Sequence, residues 1–128
     1  QRERLGVRVV PLGSPAPSLL RTLRDGGAVA LLIDRPLREG GVPVRFFGAE
    51  TRVPDGPARL ALRSGAAVVA AAAPRVGPGQ VRLLAEFDLE RGAGSPEALT
   101  QRMMEACERF VSAYPDQWYM FRDFWPAE

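Results

Sequence analysis

The run AVALLID, Ala28–Asp34, constrains this chain more than any other stretch. It is continuously apolar, too short for a helix of ordinary length, and closed by Gly26–Gly27 on one side and by Asp34–Arg35 on the other. Such a run predicts a strand covered on both faces, as in a parallel sheet sandwiched between helices. A second run of this kind, AAVVAAAAPRV (Ala66–Val76), is mostly alanine and so predicts a narrow-sided buried strand. The expected fold is therefore α/β, with a mixed, mostly parallel sheet flanked by helices.

The remaining elements follow from local signals. LGVRVVPL (Leu5–Leu12) alternates partly and predicts a strand, while Leu19, Leu20 and Leu23 share one face of a helix that Gly26–Gly27 stop. VPVRFFG (Val42–Gly48) predicts a short strand, placed at an edge or in an extended segment by Pro43. PDGPARLALRSG predicts a short helix with Asp55 at the cap, Pro57 in the first turn and Gly65 as the stop. Gly77–Gly79 is a turn and Gln80–Leu89 the returning strand. A long helix begins at Ser95–Pro96, carries Leu99, Met103, Ala106, Phe110 and Tyr114 on one stripe, and ends at Pro115. An aromatic tail, DQWYMFRDFWPAE, closes the chain.

Composition excludes several classes. The 128 residues suit one domain, and 46% hydrophobic with 25% charged residues suits a folded core. The net charge of +2 is too small for a field aimed at nucleic acid. One cysteine, Cys107, forbids an internal disulfide, and no apolar run approaches the ~20 residues that span a bilayer. The start, QRERLGVRVV, carries neither an initiator methionine nor a signal-peptide pattern, so the chain is expected to be cut from a longer protein. With no histidine, one cysteine and no spaced carboxylate cluster, no metal site is expected, and the glycines form neither a GxGxxG nor a P-loop.

Ligands of open α/β sheets gather beyond the carboxyl ends of the strands, where Asp34, Arg35 and Arg75 fall. Asp34–Arg35 is either a charged clamp for phosphate or carboxylate at a cleft mouth, or a strand-ending pair that solvates. PLREGG and FFG form either a flap with an aromatic floor or a connection with two core phenylalanines. GPARLA offers free N–H groups at a helix start that would suit an anion. Cys107 lies mid-helix with no histidine to activate it and reads as inert. Trp118, Tyr119, Phe121, Phe124 and Trp125 form either a membrane-interface belt or a strap packed on the sheet.

Three segments in order, LLIDRPLREGGVPVRFFG, VPDGPARLALRSGAAVV and PDQWYMFRDFWP, together resemble the bacterial lysophospholipid acyltransferases of the lipid A biosynthesis type. That group includes the phosphatidylinositol mannoside acyltransferases. The match runs from about Ala28 to Pro126, and the combination of a DR loop with FFG, GPA-LA-GA and PxQW is what makes it specific. The resemblance implies a glycerol-phosphate-acyltransferase-like fold, incomplete at its N-terminus. It implies transfer of a fatty acyl group from acyl-CoA or an acyl-carrier-protein thioester to a glycolipid hydroxyl, with no other cofactor. It also implies residence on the cytoplasmic face of the bacterial inner membrane.

In that family a His-x4-Asp/Glu motif supplies the general base for the acceptor hydroxyl. A chain without histidine lacks it, so no catalytic residue is assigned. The chain is expected to be the C-terminal portion of an acyltransferase domain, inactive alone and without the membrane anchor. Asp34, Arg35, Phe46, Phe47, Gly48, Gly56, Pro57 and Arg75 are expected to border the acceptor and acyl sites. A non-catalytic α/β module that binds lipid or anions is the alternative. An incomplete sheet is also expected to expose apolar surface or an unpaired edge, and so to self-associate.

Overall fold

The computed structural model describes residues 4, 6–10, 16–35 and 40–125. Within them the fold is α/β, three α-helices and one short 3-10 helix (Pro115–Gln117) with six short strands. Helix α1 (Ala16–Arg24) ends where Gly26 takes a φ of 78°, as its glycine pair predicts. A hairpin of β1 (Val42–Phe46) and β2 (Ala49–Val53) follows. Helix α2 (Gly56–Ser64) is closed by Gly65 in the left-handed conformation, whose N–H donates to the Ala61 carbonyl. Strands β3 (Ala70–Ala72), β4 (Arg75–Gly77), β5 (Gln80–Val81) and β6 (Leu84–Glu86) then lead into α3 (Pro96–Ala113).

The β1–β2 hairpin is built by alternation. Val42, Val44 and Phe46 point inward while Pro43 and Arg45 point out, and Val42 registers with Val53, Phe46 with Ala49. Its two-residue turn, Phe47–Gly48, has both φ angles positive (50° and 79°), the twist-matched turn of tight hairpins. A phenylalanine is strained there. The Phe47 N–H donates to Glu108 Oε2 at 2.7 Å, which ties the turn to α3. Pro43 sits on a two-stranded ladder, where its missing N–H breaks nothing.

Helix α3 is capped as its sequence predicts: Ser95 Oγ accepts from the Ala98 N–H at 3.1 Å, with Pro96 in the first turn. Leu99, Met103 and Ala106 of the stripe are buried, with Phe110 and Tyr114 half-buried beyond them. Asp55 stands at the N-terminus of α2 but makes no capping bond; its carboxylate takes the Arg59 guanidinium at 2.5 Å instead.

The core has two clusters. Val42, Val44, Phe46, Val53, Met104 and Phe124 form one; Ala58, Ala61, Ala93, Leu99 and Met103 form the other. Ile33 packs against both. The aromatic tail is a strap over the first: Trp118, Phe124 and Trp125 surround the Phe46 ring at 4.9–6.1 Å. Trp125 Nε1 donates to the Phe46 carbonyl at 3.1 Å, and Thr51 Oγ1 to the Phe124 carbonyl at 2.7 Å. Tyr119 and Phe121 stack on each other on the outside, Phe121 at 91% exposure.

The sheet departs from the sequence expectation. Among the described residues the strands form three separate antiparallel pairs, β1–β2, β3–β6 and β4–β5, with no parallel ladder. Ala28–Asp34 belongs to no strand, and Leu32 is 74% exposed. A continuous apolar run marks residues suited to burial on both faces, but a strand also needs neighbours to take its backbone groups. No neighbour among the described residues does so here. The Ala66–Val76 and Gln80–Leu89 strands shrink and split for a similar reason, since Pro74 and the Gly77–Gly79 turn divide them into two ladders. Residues 6–10 form no strand, and the rest of the Leu5–Leu12 expectation lies outside the described residues. The apolar exposure expected of an incomplete sheet is present at Leu31, Leu32, Leu83 and Phe87.

Candidate functional site

An apolar cavity of about 500 Å³ opens between segment 29–34, the alanine-rich segment 66–75 and the inner face of α3. Alanine makes this cavity. A wall of larger side chains at 66–73 would fill the space between segment and helix. Leu31, Ile33, Met103, Phe110 and Val111 supply the rest of the apolar lining, and the size falls in the ~300–1,000 Å³ range of small-molecule pockets. Asp34, Arg75, Tyr114, Gln117, Trp118 and Tyr119 bring polar groups to the lining.

The tail sets the positions of those groups. Trp118 Nε1 donates to Asp34 Oδ2 at 3.2 Å. Its neighbour Gln117 accepts from the Arg75 N–H at 2.8 Å and donates Nε2 to the Arg75 carbonyl at 2.9 Å. The amide thus stands in for one residue of a missing strand partner, satisfying both backbone groups of Arg75. Gln101 does the same for Arg45, accepting its N–H at 2.8 Å and donating to its carbonyl at 3.0 Å. One dipeptide, Gln117–Trp118, therefore ties the Asp34 carboxylate and the Arg75 backbone to the tail at the cavity wall. Sequence reading singled out this dipeptide as the QW of PxQW but gave it no place at the cavity, because the hydrogen bonds of a side-chain amide leave no periodic trace.

Cys107 also lines the cavity. Burial, helped by the negative charge of Asp34, pushes its thiol up to about 11, so it stays protonated at neutral pH and is a poor nucleophile. Away from the cavity, Arg109 bonds Glu86 at 2.7 Å and holds that carboxyl below its usual range. Among the described residues no group of three or more metal-ligating side chains occurs.

The eight expected site residues divide. Asp34, Pro57 and Arg75 line the cavity, while Arg35 is exposed beside it. Gly56 faces a second groove, between α1 and α2. Phe46 is fully buried in the core and Phe47–Gly48 form the hairpin turn, so FFG is not among the cavity-lining residues. Its three residues serve the fold: ring packing by Phe46, chain reversal by the other two.

The chain belongs to the bacterial lipid A biosynthesis acyltransferase family, whose profile matches residues 1–126. It is 35% identical over 132 residues to a phosphatidylinositol mannoside acyltransferase of Mycolicibacterium smegmatis, covering 99% of this chain and 43% of that one. A phosphatidylinositol mannoside acyltransferase of Mycobacterium tuberculosis is 34% identical, over 99% of this chain and 41% of its own. The chain thus spans about two fifths of the length of these curated relatives.

Proposed function

We propose that these residues form the acyl-chain and acceptor-side wall of an acyltransferase. It moves a fatty acyl group from an acyl-CoA or acyl-carrier-protein thioester to a hydroxyl of a membrane glycolipid, a phosphatidylinositol mannoside or a lipid A precursor. Family membership supports the reaction class and disfavours a non-catalytic module. The observation that carries the reading is the alanine-walled cavity with Asp34 and Arg75 among its lining residues. Burial of an alkyl chain there yields about 0.8 kcal/mol per methylene, enough to hold a long chain while the head group reacts. Arg75 would meet an anionic or carbonyl oxygen of the head group.

A hydroxyl attacking a thioester needs a base, and none of these 128 residues is a histidine. A histidine base would therefore come from outside them, and the chain alone would be inactive. In the complete gene product the open edges of 28–34 and β3 would join a mostly parallel sheet of the glycerol-phosphate-acyltransferase type. The enzyme would work at the cytoplasmic face of the plasma membrane. No helix among the described residues is long and apolar enough to cross a membrane, so these residues would contact the lipid surface peripherally.

The test narrows the cavity. In the complete gene product, Ala71→Leu should shift donor preference toward shorter acyl chains when palmitoyl, myristoyl and lauroyl thioesters compete for a glycolipid acceptor. An unchanged chain-length profile would remove the cavity from the acyl site, and transfer by the 128-residue chain alone would refute its dependence on an outside base.

A further inference from the structure

Strands β4 and β5 form a hairpin across the Gly77–Gly79 turn, lengthened where the Arg82 N–H donates to the Pro74 carbonyl at 2.9 Å. Every residue of the two strands is exposed except the half-buried Gly77, so no described residue covers either face. A lone two-stranded hairpin is marginal in water, yet this one presents Val76 at 43%, Val81 at 65% and, just beyond it, Leu83 at 72% exposure. Its charges are of one sign. Residues 74–83, PRVGPGQVRL, hold Arg75 and Arg82, both exposed, and no acid.

The aromatic tail is tied to the same hairpin. Gln117 bonds both backbone groups of Arg75, and the Tyr114 hydroxyl accepts from Arg82 Nη1 at 3.1 Å. Beyond Gln117 the tail divides. Trp118, Phe124 and Trp125 turn onto Phe46, while Tyr119 and Phe121 stack outside it, ring centroids 6.1 Å apart and planes 17° apart. The core thus explains three of the five rings and leaves two in water. Arg122 follows them, against Asp116 and Asp123, all exposed. Tyr119 and Arg75 also line the cavity while remaining exposed, so the hairpin and the ring pair border its rim.

We infer that the β4–β5 hairpin and the Tyr119–Phe121 pair form one docking surface, which inserts into the head-group region of an anionic bilayer beside the cavity rim. This rests on the acyl-transfer reading for what the cavity receives, and deepens it by naming the surface that meets the lipid. Apolar side chains interleaved with arginines suit that interface. Val81, Leu83 and Phe121 pass below the head groups, while the guanidiniums of Arg75 and Arg82 stay among the phosphates. A tyrosine ring with its hydroxyl in water fits the same level. The absence of acids from 74–83 favours a phosphate-rich surface over burial against more protein, where each guanidinium would need its own carboxylate.

The experiment puts a reporter on this surface. In the complete gene product, Phe121→Trp adds an indole whose fluorescence is read against the wild type. The vesicles hold equal parts of phosphatidylglycerol and phosphatidylcholine with brominated acyl chains. On them the added fluorescence should shift to the blue and be quenched by bromine, which acts only at contact. Val81→Gln/Leu83→Gln/Phe121→Ser together should weaken vesicle binding by about 100-fold, each inserted apolar side chain being worth on the order of tenfold. Arg82→Gln should weaken it about fivefold and leave binding to pure phosphatidylcholine unchanged. All these side chains are exposed, and Phe121→Trp keeps a ring, so the reporter stands if the triple variant is unstable. An added indole already blue-shifted without vesicles and untouched by bromine would show that the rest of the gene product covers the patch, and would overturn the assignment. Vesicle binding unchanged in the triple variant would do the same. Quenching without acyl transfer would refute the reaction and leave the docking surface standing. Acyl transfer without quenching would do the reverse.

Discussion

Trp118 Nε1 donates to Asp34 Oδ2 across 84 residues of sequence, and the pair joins the aromatic strap to the end of the chain's most apolar segment. Asp34 is thereby held at the cavity wall in a half-buried setting, where an acceptor without its donor is costly. The same indole ring packs edge-on to Phe46 and Phe124, at 5.6 and 5.4 Å.

Trp118→Phe should separate the two roles. It keeps a ring for the core and removes the N–H, so the expected stability loss is about 1 kcal/mol by chemical denaturation. Acyl transfer by the complete gene product should fall about tenfold. The loss should be non-additive with Asp34→Asn, because both changes break one bond. Fully additive losses would show that Asp34 and Trp118 act independently.

Gln117→Ala removes both bonds to the Arg75 backbone. Hydrogen exchange at the Arg75 amide should quicken about tenfold, the effect of losing about 1.4 kcal/mol of local protection. Gln101→Ala should act likewise on Arg45 and leave Arg75 alone. An unchanged Arg75 rate would mean that the Gln117 amide does not protect this edge.

Phe46→Ala should be the most damaging single truncation, costing about 3–5 kcal/mol. Phe46 is fully buried and four other rings pack around it, so the void cannot easily collapse. Phe47→Ala, on the exposed turn, should cost far less. Thermal melts of the two variants side by side make the comparison.

Alkali should destabilise the fold through Cys107. The unfolded thiol ionises near 9 and the folded one near 11, so between those values the folded state holds the proton more often. Stability is then fully present below about pH 9 and declines as pH rises toward 11. Cys107→Ala, whatever its starting stability, should show a shallower decline over that window in denaturant titrations at fixed pH steps.

The helices and the first strand were legible in sequence because their causes are local. Ser95–Pro96 caps α3, Gly65 stops α2, and the alternation of Val42, Val44 and Phe46 marks β1. β2 was missed, although Gly48 followed by the alternating ETRV is a hairpin signal. The Ala28–Asp34 strand failed for a different reason. Hydropathy reports which residues avoid water, and ladder partners are a property of chain segments elsewhere.

The candidate site divides along the same line. Its charged members, Asp34 and Arg75, were visible as charges ending apolar runs, and family membership was visible in three ordered motifs. Their spacing was not. It depends on one amide and one indole that hydrogen-bond residues 42 and 84 positions away. The sequence by itself determined helix boundaries, the hairpin's inward face and the family. Only the tertiary structure decided that the alanine-rich segment 66–73 leaves a cavity, that Phe46 serves the core, and that two helices bring their arginines to one groove. Those outcomes depend on distances between segments, which no local pattern of side chains encodes.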